Sequence, residues 1–240
     1  MTGRDLPVEL PVDLPVDPPR TIVVLAKAPV PGRVKTRLTS RLTPEQAADV
    51  AAAALADTCE AVAALPGEHV LVLDGVPGPW VPPGFTVLPQ RPGGLDRRLA
   101  GAFGDVLASH PGPALLVGMD TPQLGPLLPR VDLAGHDAVL GLAPDGGYWA
   151  IGLRAPDPAL FLDVPMSVPT TGAAQLARLR SHGLSVGLLP QLRDVDEPDD
   201  AEAVARAAPG TRFARRWHAA VRAGAVQAGA VQDGTRRIAS

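Results

Sequence analysis

Short apolar runs alternate with longer amphipathic stretches along this chain, and proline and glycine mark the breaks. Thr21–Lys27, TIVVLAK, is apolar and β-branched and stops at Pro29, Pro31 and Gly32, which predicts a buried strand entering a loop. Thr43-Pro44-Glu45-Gln46 then reads as a helix start, with Thr43 capping, Pro44 in the first turn and Gln46 closing a capping box. The alanine-rich helix should run to about Leu65, before Pro66-Gly67. His69–Leu73 and Phe85–Leu88 read as strands, separated by a loop, Asp74–Gly84, with four prolines. Leu95, Leu99, Phe103 and Val106 share one face of a further helix. Ala114–Val117, bounded by Pro113 and Gly118, fits a buried parallel strand. A short helix is expected over Gln123–Val131. Strands follow at Asp137–Leu142 and Tyr148–Leu153, separated by Pro144-Asp145-Gly146-Gly147, then a helix around Thr171–His182 and a strand at Leu184–Leu189. Asp194–Asp200 opens a helix to about Ala207, and a last helix spans about Arg212–Ala223.

Strands alternate with helices through the first 130 residues, so the pattern predicts an α/β fold whose parallel sheet is covered on both faces. The later hairpin-like segment adds an antiparallel part, giving a mixed, mostly parallel sheet. Ligands of such sheets sit at the carboxyl ends of the strands, and both the basic loop and Gly118–Pro122 fall at such ends. Residues 1–20 carry a four-residue Leu-Pro-Val-acid repeat and read as a disordered tail; 21–223 reads as one domain, and 224–240 as a flexible tail.

Composition narrows the classes. A 46% apolar content supports a sizeable core, and the net charge of −3 gives no global pull towards nucleic acid or an anionic membrane. No apolar run approaches the roughly 18 residues of a membrane span. The single cysteine, Cys59, excludes a disulfide framework and fits a reducing cytoplasm; in line with Leu55 and Val62, it reads as a core residue. The charge is segregated. No acid lies between Lys27 and Arg41, whereas Asp194–Glu202 holds six acids and no base. That split suggests phosphates at one place and a cation at another.

Lys27, Arg33, Lys35 and Arg37, with Gly32 opening the backbone, form a strand–loop–helix stretch suited to di- or triphosphate binding; the bland alternative is a solvated basic loop. Neither GxxxxGK[ST] nor GxGxxG is present, and no GxSxG elbow or metal-spaced histidine set occurs. Asp120 follows a buried strand directly and suits a divalent cation bridging phosphates, or else a helix N-cap. Asp194 and Asp196 fall on one side if the backbone is extended there and suit carboxylate ligands of Mg²⁺ beside substrate oxygens, or an acidic helix N-terminus. Gly146, Gly147 and Tyr148 suit a site wall, with Asp145 as a base for an acceptor, or a plain turn.

AKAPVPGRVKTRL, GGLDRRLAGAF, GMDTPQL, DGGYWAIGL and DVDEPDDAEAV together resemble the DUF2064 family over about residues 20–207. The resemblance implies a GT-A, or nucleotide-diphospho-sugar transferase, fold: a Rossmann-like three-layer α/β/α arrangement. Some members of that family are labelled glycosyltransferases of arsenosugar biosynthesis. The pattern is also similar to phospholactate guanylyltransferases and molybdenum-cofactor nucleotidyltransferases. Carried over, it implies that Lys27, Arg33, Lys35 and Arg37 meet the nucleotide phosphates, that Asp120 is the metal ligand, and that Asp194 or Asp196 is the second acidic contact. Arg98 matches an arginine that follows the family's Gly-Asp-Leu-Gly segment, which here reads Gly94-Leu95-Asp96; the family's Trp-Ser-Thr segment reads Met166-Ser167-Val168. Asp120 lacks the D-x-D pattern of many metal-dependent glycosyltransferases. The expectation is a cytoplasmic transferase using Mg²⁺ or Mn²⁺, a nucleotide-activated donor and a small-molecule acceptor. Glycosyl transfer leads on family labelling, nucleotidylyl transfer is the alternative, and a non-catalytic nucleotide-binding protein is the third reading.

Overall fold

The computed structural model describes residues 19–224, so the expected tail at 1–20, except its last two residues, and that from 225 onward lie outside it. The strands are β1 (Thr21–Lys27), β2 (Glu68–Asp74), β3 (Phe85–Pro89), β4 (Ala114–Gly118), β5 (Ala138–Leu142), β6 (Tyr148–Leu153) and β7 (Val186–Leu189). The α-helices are α1 (Pro44–Ala63), α2 (Leu95–Ser109), α3 (Thr171–Ser181), α4 (Pro198–Ala207) and α5 (212–224). The strands form one sheet in the order β3-β2-β1-β4-β6-β5-β7. Only β6 runs against its neighbours, β4 and β5; every other pairing is parallel.

The order places the ligand-binding end. From β1 the chain moves outward through β2 to β3, then returns to lay β4 on β1's other side. The helices after β1 and after β3 leave on opposite faces, so a crevice opens between the carboxyl ends of β1 and β4. Because β6 is reversed, the turn from β5 into β6 faces that same end, as does the segment leaving β7.

Two apolar layers clothe the sheet. One face packs Ile22, Val24, Leu71 and Leu115 against Leu55, Cys59 and Val62 of α1. The other packs Val23, Val70, Leu116 and Ile151 against Leu99, Phe103 and Val106 of α2, with Phe103 stacked on Phe161 at 4.9 Å between ring centroids. The expected periodicity of both helices is therefore their buried face. The Thr43–Gln46 capping box forms as the sequence predicts. Cys59 is buried, and burial pushes its thiol up to about 12, which leaves it inert.

A third apolar cluster lies beyond the sheet. It joins Leu38 and Leu42 to Ala47 and Val50 of α1, Val195, Val204 of α4, and Phe213 and Trp217 of α5. Trp217 is fully buried and its indole N–H donates to Glu202 at 2.9 Å. Asp57 of α1 accepts from the backbone N–H groups of Arg212 (3.0 Å) and Phe213 (2.8 Å), the orphan donors of α5's first turn.

One element departs from expectation. Gln123–Val131 is a series of turns ending in a short 3-10 segment, Leu128–Arg130, not a continuous helix. Pro126 and Pro129 remove backbone donors inside the run, and Gly125 lowers its helix propensity. The strand expected at Leu184–Leu189 begins at Val186, and the helix expected to open within Asp194–Asp200 begins at Pro198, leaving Asp194–Asp196 outside it.

Asp57→Ala removes both acceptors from the start of α5. The expected loss is about 1–2 kcal/mol in urea denaturation, with Asp57→Asn losing less because its amide oxygen still accepts.

Candidate functional site

The loop after β1 is held by apolar residues on both sides of its cations. Val34 is buried against the α1 face of the sheet and Leu38 in the third cluster. Between them Lys35 takes a left-handed backbone, φ 47° and ψ 39°, unusual for a residue other than glycine, asparagine or aspartate. The combined effect turns Lys35 inward: its side chain is only 8% exposed. Nζ lies 2.9 Å from Asp120 Oδ2 and 3.9 Å from Asp196 Oδ1, and donates to the Val195 carbonyl. Arg37 pairs with Asp196, and Arg41 with Asp199 at the surface. Lys27 and Arg33 have no acidic partner among the described residues. Gly32, at φ 75°, makes the turn but stays outside the cleft.

Asp120 is delivered by β4. Its backbone carbonyl accepts from Val195 N–H at 2.9 Å, which ties the segment leaving β7 to the end of β4. Gln123 reinforces the tie by donating to the Arg193 carbonyl at 2.6 Å. Asp120 Oδ1 is buried and has no hydrogen-bond partner among the described residues, and the same holds for the Thr121 hydroxyl beside it. Since buried polar atoms are nearly always satisfied, this oxygen pair marks a place for something else.

Val195 alternates inward, leaving Asp194 and Asp196 on the cleft side, as extended backbone requires. Burial, with the Asp145 carboxylate second, pushes the Asp194 carboxyl up to about 6, although Lys35 opposes the shift. Asp200 is engaged elsewhere, by Arg193 at 2.7 Å and by the Glu197 N–H at 3.0 Å.

The turn from β5 into β6 builds the far wall. Asp145 accepts from Gly147 N–H at 2.8 Å, and the Gly146 carbonyl accepts from Gly172 N–H at 2.7 Å, clamping the turn to the start of α3. Gly146 has φ 91°, and a Cβ there would stand 1.8 Å from the Pro169 carbonyl oxygen. Gly147 and the Tyr148 ring line the cleft, whereas Gly146 lies behind them. The Tyr148 hydroxyl turns away to donate to Gln175 at 3.3 Å, and burial pushes its acidity well below that of an ordinary phenol.

On the near side, Arg98 reaches back from α2 to the Gly93 carbonyl at 3.1 Å. Gln90 donates to the carbonyls of Ala26 and Val72, and thereby splices the ends of β1 and β2. These walls enclose a cleft of about 800 Å³. Lys27, Arg33, Lys35, Arg37, Arg98, Asp120, Asp145, Asp194 and Asp196 all line it, brought together from distant stretches of chain.

The sequence reading missed Gln90, Thr121 and Trp149. Gln90 opens a turn directly after a strand, which was its available signal. Trp149 donates to the Pro190 carbonyl at 3.1 Å over Gly141, where a Cβ would stand 2.4 Å from the indole nitrogen; this fixes the exit of β7.

Among the described residues no group of three or more His, Cys, Asp or Glu converges as a metal cage. Asp120 and Asp194 offer a different donor set: one or two carboxylates open to a cleft lined with cations. That set fits Mg²⁺, which keeps several waters and takes substrate phosphate oxygens as ligands.

Asp194 shifts upward on folding, so between 3.8 and about 6 the folded chain binds the extra proton and stability falls as pH rises through that window. Asp194→Asn should therefore raise the melting temperature near neutral pH, with the gain closing as pH falls below the unfolded value of 3.8. Gly146→Ala should cost at least about 2 kcal/mol in urea denaturation, because both its φ and its Cβ conflict with the clamp.

The family profile described as "Uncharacterized protein conserved in bacteria (DUF2064)" matches residues 42–168. No curated protein matches the chain. Among solved structures, a protein of Desulfovibrio desulfuricans G20, provisionally designated a nucleotide-diphospho-sugar transferase, is 24% identical with a TM-score of 0.75, over 86% of this chain and 98% of its own. The 2-C-methyl-D-erythritol 4-phosphate cytidylyltransferase of Thermus thermophilus is 15% identical with a TM-score of 0.47, over 80% of this chain and 99% of its own. The inositol-1-phosphate CTP transferase of T. maritima is 13% identical with a TM-score of 0.45, over 81% and 98%. The sheet with helices on both faces is the GT-A-like, three-layer α/β/α fold, and the chain belongs to the DUF2064 family.

Proposed function

We propose that this protein is a transferase acting on a nucleotide-activated donor, with a divalent ion, Mg²⁺ or Mn²⁺, and a small-molecule acceptor. One observation carries the reading. Lys27 and Arg33, with no acidic partner among the described residues, line the same cleft at the β1/β4 crevice as Asp120, whose Oδ1 has no hydrogen-bond partner among them. Cations and a carboxylate with an unsatisfied oxygen at such a switch point suit a polyphosphate and its metal.

Lys27, Arg33 and Arg98 bind the phosphates and hold the donor's diphosphate in place. Asp120, with Asp194, holds the metal, which when bound supplies charge neutralisation on the bridging phosphate oxygens. Lys35 and Arg37 complete the cationic rim, and Asp196 positions both. Gly147, Tyr148 and Met166–Pro169 shape the acceptor side, where Asp145 is placed to take a proton from an acceptor hydroxyl. The Desulfovibrio protein's designation supports a nucleotide sugar as donor, so glycosyl transfer is the first reading.

Nucleotidylyl transfer is the second. Asp120-Thr121-Pro122 offers a single carboxylate where a D-x-D pair would give two, and an ammonium already lies 2.9 Å from it. A lone carboxylate with a lysine beside it suits attack on an α-phosphate as well as departure of a diphosphate.

Incubation with nucleoside triphosphates and nucleotide sugars, assayed for pyrophosphate and for free nucleoside diphosphate, separates the two. Nucleoside diphosphate release supports glycosyl transfer, and pyrophosphate release replaces it with nucleotidylyl transfer. Asp120→Asn should lower turnover at least about a hundredfold. Nucleotide binding that ignores both Mg²⁺ and Asp120 would leave only the non-catalytic reading.

A further inference from the structure

The cation nearest Asp120 belongs to the protein itself. Lys35 Nζ has Asp120 Oδ2 at 2.9 Å, the Val195 carbonyl as a hydrogen-bond acceptor, and Asp196 at 3.9 Å. Its backbone stands in the left-handed region, held there by Val34 and Leu38, both buried. A surface lysine loses little by leaving a carboxylate. Lys35, nearly out of water, needs a replacement for every contact it gives up.

Lys27 and Arg33 contrast with it. They belong to the same stretch and line the same cleft, yet neither has an acidic partner among the described residues. The loop thus carries two kinds of cation: two open to an arriving anion, and one already committed to Asp120.

Resting on the proposed metal role of Asp120, we infer that Lys35 acts as a resident counter-cation, so that the site takes a metal–polyphosphate chelate as a unit and not the free ion first. A free divalent ion approaching Asp120 meets a partly buried ammonium of like charge, with no new anion to receive it. A polyphosphate removes that conflict. It brings the metal to Asp120 and also supplies phosphate oxygens to which Lys35 can transfer its hydrogen bonds. Metal and polyphosphate therefore bind with positive coupling, and Lys35 is the residue through which the coupling passes.

The test reads metal binding and not turnover. Free Mn²⁺ is followed by its electron paramagnetic resonance signal during titration of the full chain, alone and with inorganic pyrophosphate. The parent protein should bind Mn²⁺ alone weakly and more tightly with pyrophosphate. Lys35→Met and Lys35→Gln should each bind Mn²⁺ alone about tenfold or more tightly than the parent, and should lose most of the pyrophosphate enhancement. Adding Asp120→Asn to either should remove the gain. Gln retains a donor for the Val195 carbonyl, so it covers the case in which Met fails to fold, as judged by circular dichroism. Equal Mn²⁺ affinity in parent and variants, abolished by Asp120→Asn, overturns the role of Lys35 while the metal role of Asp120 stands. No Mn²⁺ binding by any variant, with or without pyrophosphate, overturns both.

Discussion

The site depends on the contact between the Lys35 ammonium and the Asp120 carboxylate. Four aspartates, at 120, 145, 194 and 196, line one end of the sheet. Unit charges 4 Å apart interact by about 1 kcal/mol in water and by about 4 kcal/mol at the effective dielectric of a protein surface. Carboxylates gathered at one end of a sheet repel one another, and the lysine among them opposes that repulsion. Its trace is visible at Asp194, whose carboxyl is pushed up by burial and by Asp145, and held back by Lys35. Left-handed backbone at a lysine costs roughly 1–2 kcal/mol. The Lys35 side chain, nearly buried and held by Asp120 with the Val195 carbonyl as a further partner, opposes that cost.

The contact is possible because apolar residues on both partners fix the polar ones between them. Leu38, three residues beyond Lys35, and Val195, between Asp194 and Asp196, are buried in the same cluster. The basic loop and the acidic segment are 160 residues apart along the chain, yet they share one anchor. Phe213 and Trp217 of α5 complete it, and a fully buried large apolar side chain contributes about 1.5–3 kcal/mol. The sheet places Asp120; the cluster outside the sheet places what surrounds it.

Periodicity made most of the fold legible. β1 and β4 are continuous apolar runs because both of their faces are covered, and α2 shows its buried stripe in Leu99, Phe103 and Val106. The proline and glycine of the β5–β6 turn signalled a reversal, and β6 is the one antiparallel strand. The order of the strands was not legible, because it depends on which edges meet and not on any local pattern. Charge segregation pointed to the two stretches that meet at the cleft. It could not show that Lys35 turns inward while Arg33 stays open, since that sorting follows from one left-handed residue and two buried neighbours. Nor could it show the Tyr148 hydroxyl turning away towards Gln175, a partner 27 residues along. The Gln123–Val131 helix failed for a local reason that was visible: Pro126 and Pro129 outweigh the apolar spacing of Leu124, Leu127 and Leu128.

The docking of α5 has a consequence beyond stability. Proteins open in cooperative units, and a cluster set apart from the main core can loosen without the sheet unfolding. The third cluster contains both Leu38 and Val195, so loosening it would loosen Lys35 and Asp196 together, while Asp120 follows directly on β4. Any ligand that grips both sides of the cleft must then tighten α5, and by thermodynamic reciprocity whatever tightens α5 favours that ligand by the same free energy. The last described helix, remote from the chemistry in sequence, is in this sense an energetic handle on the site.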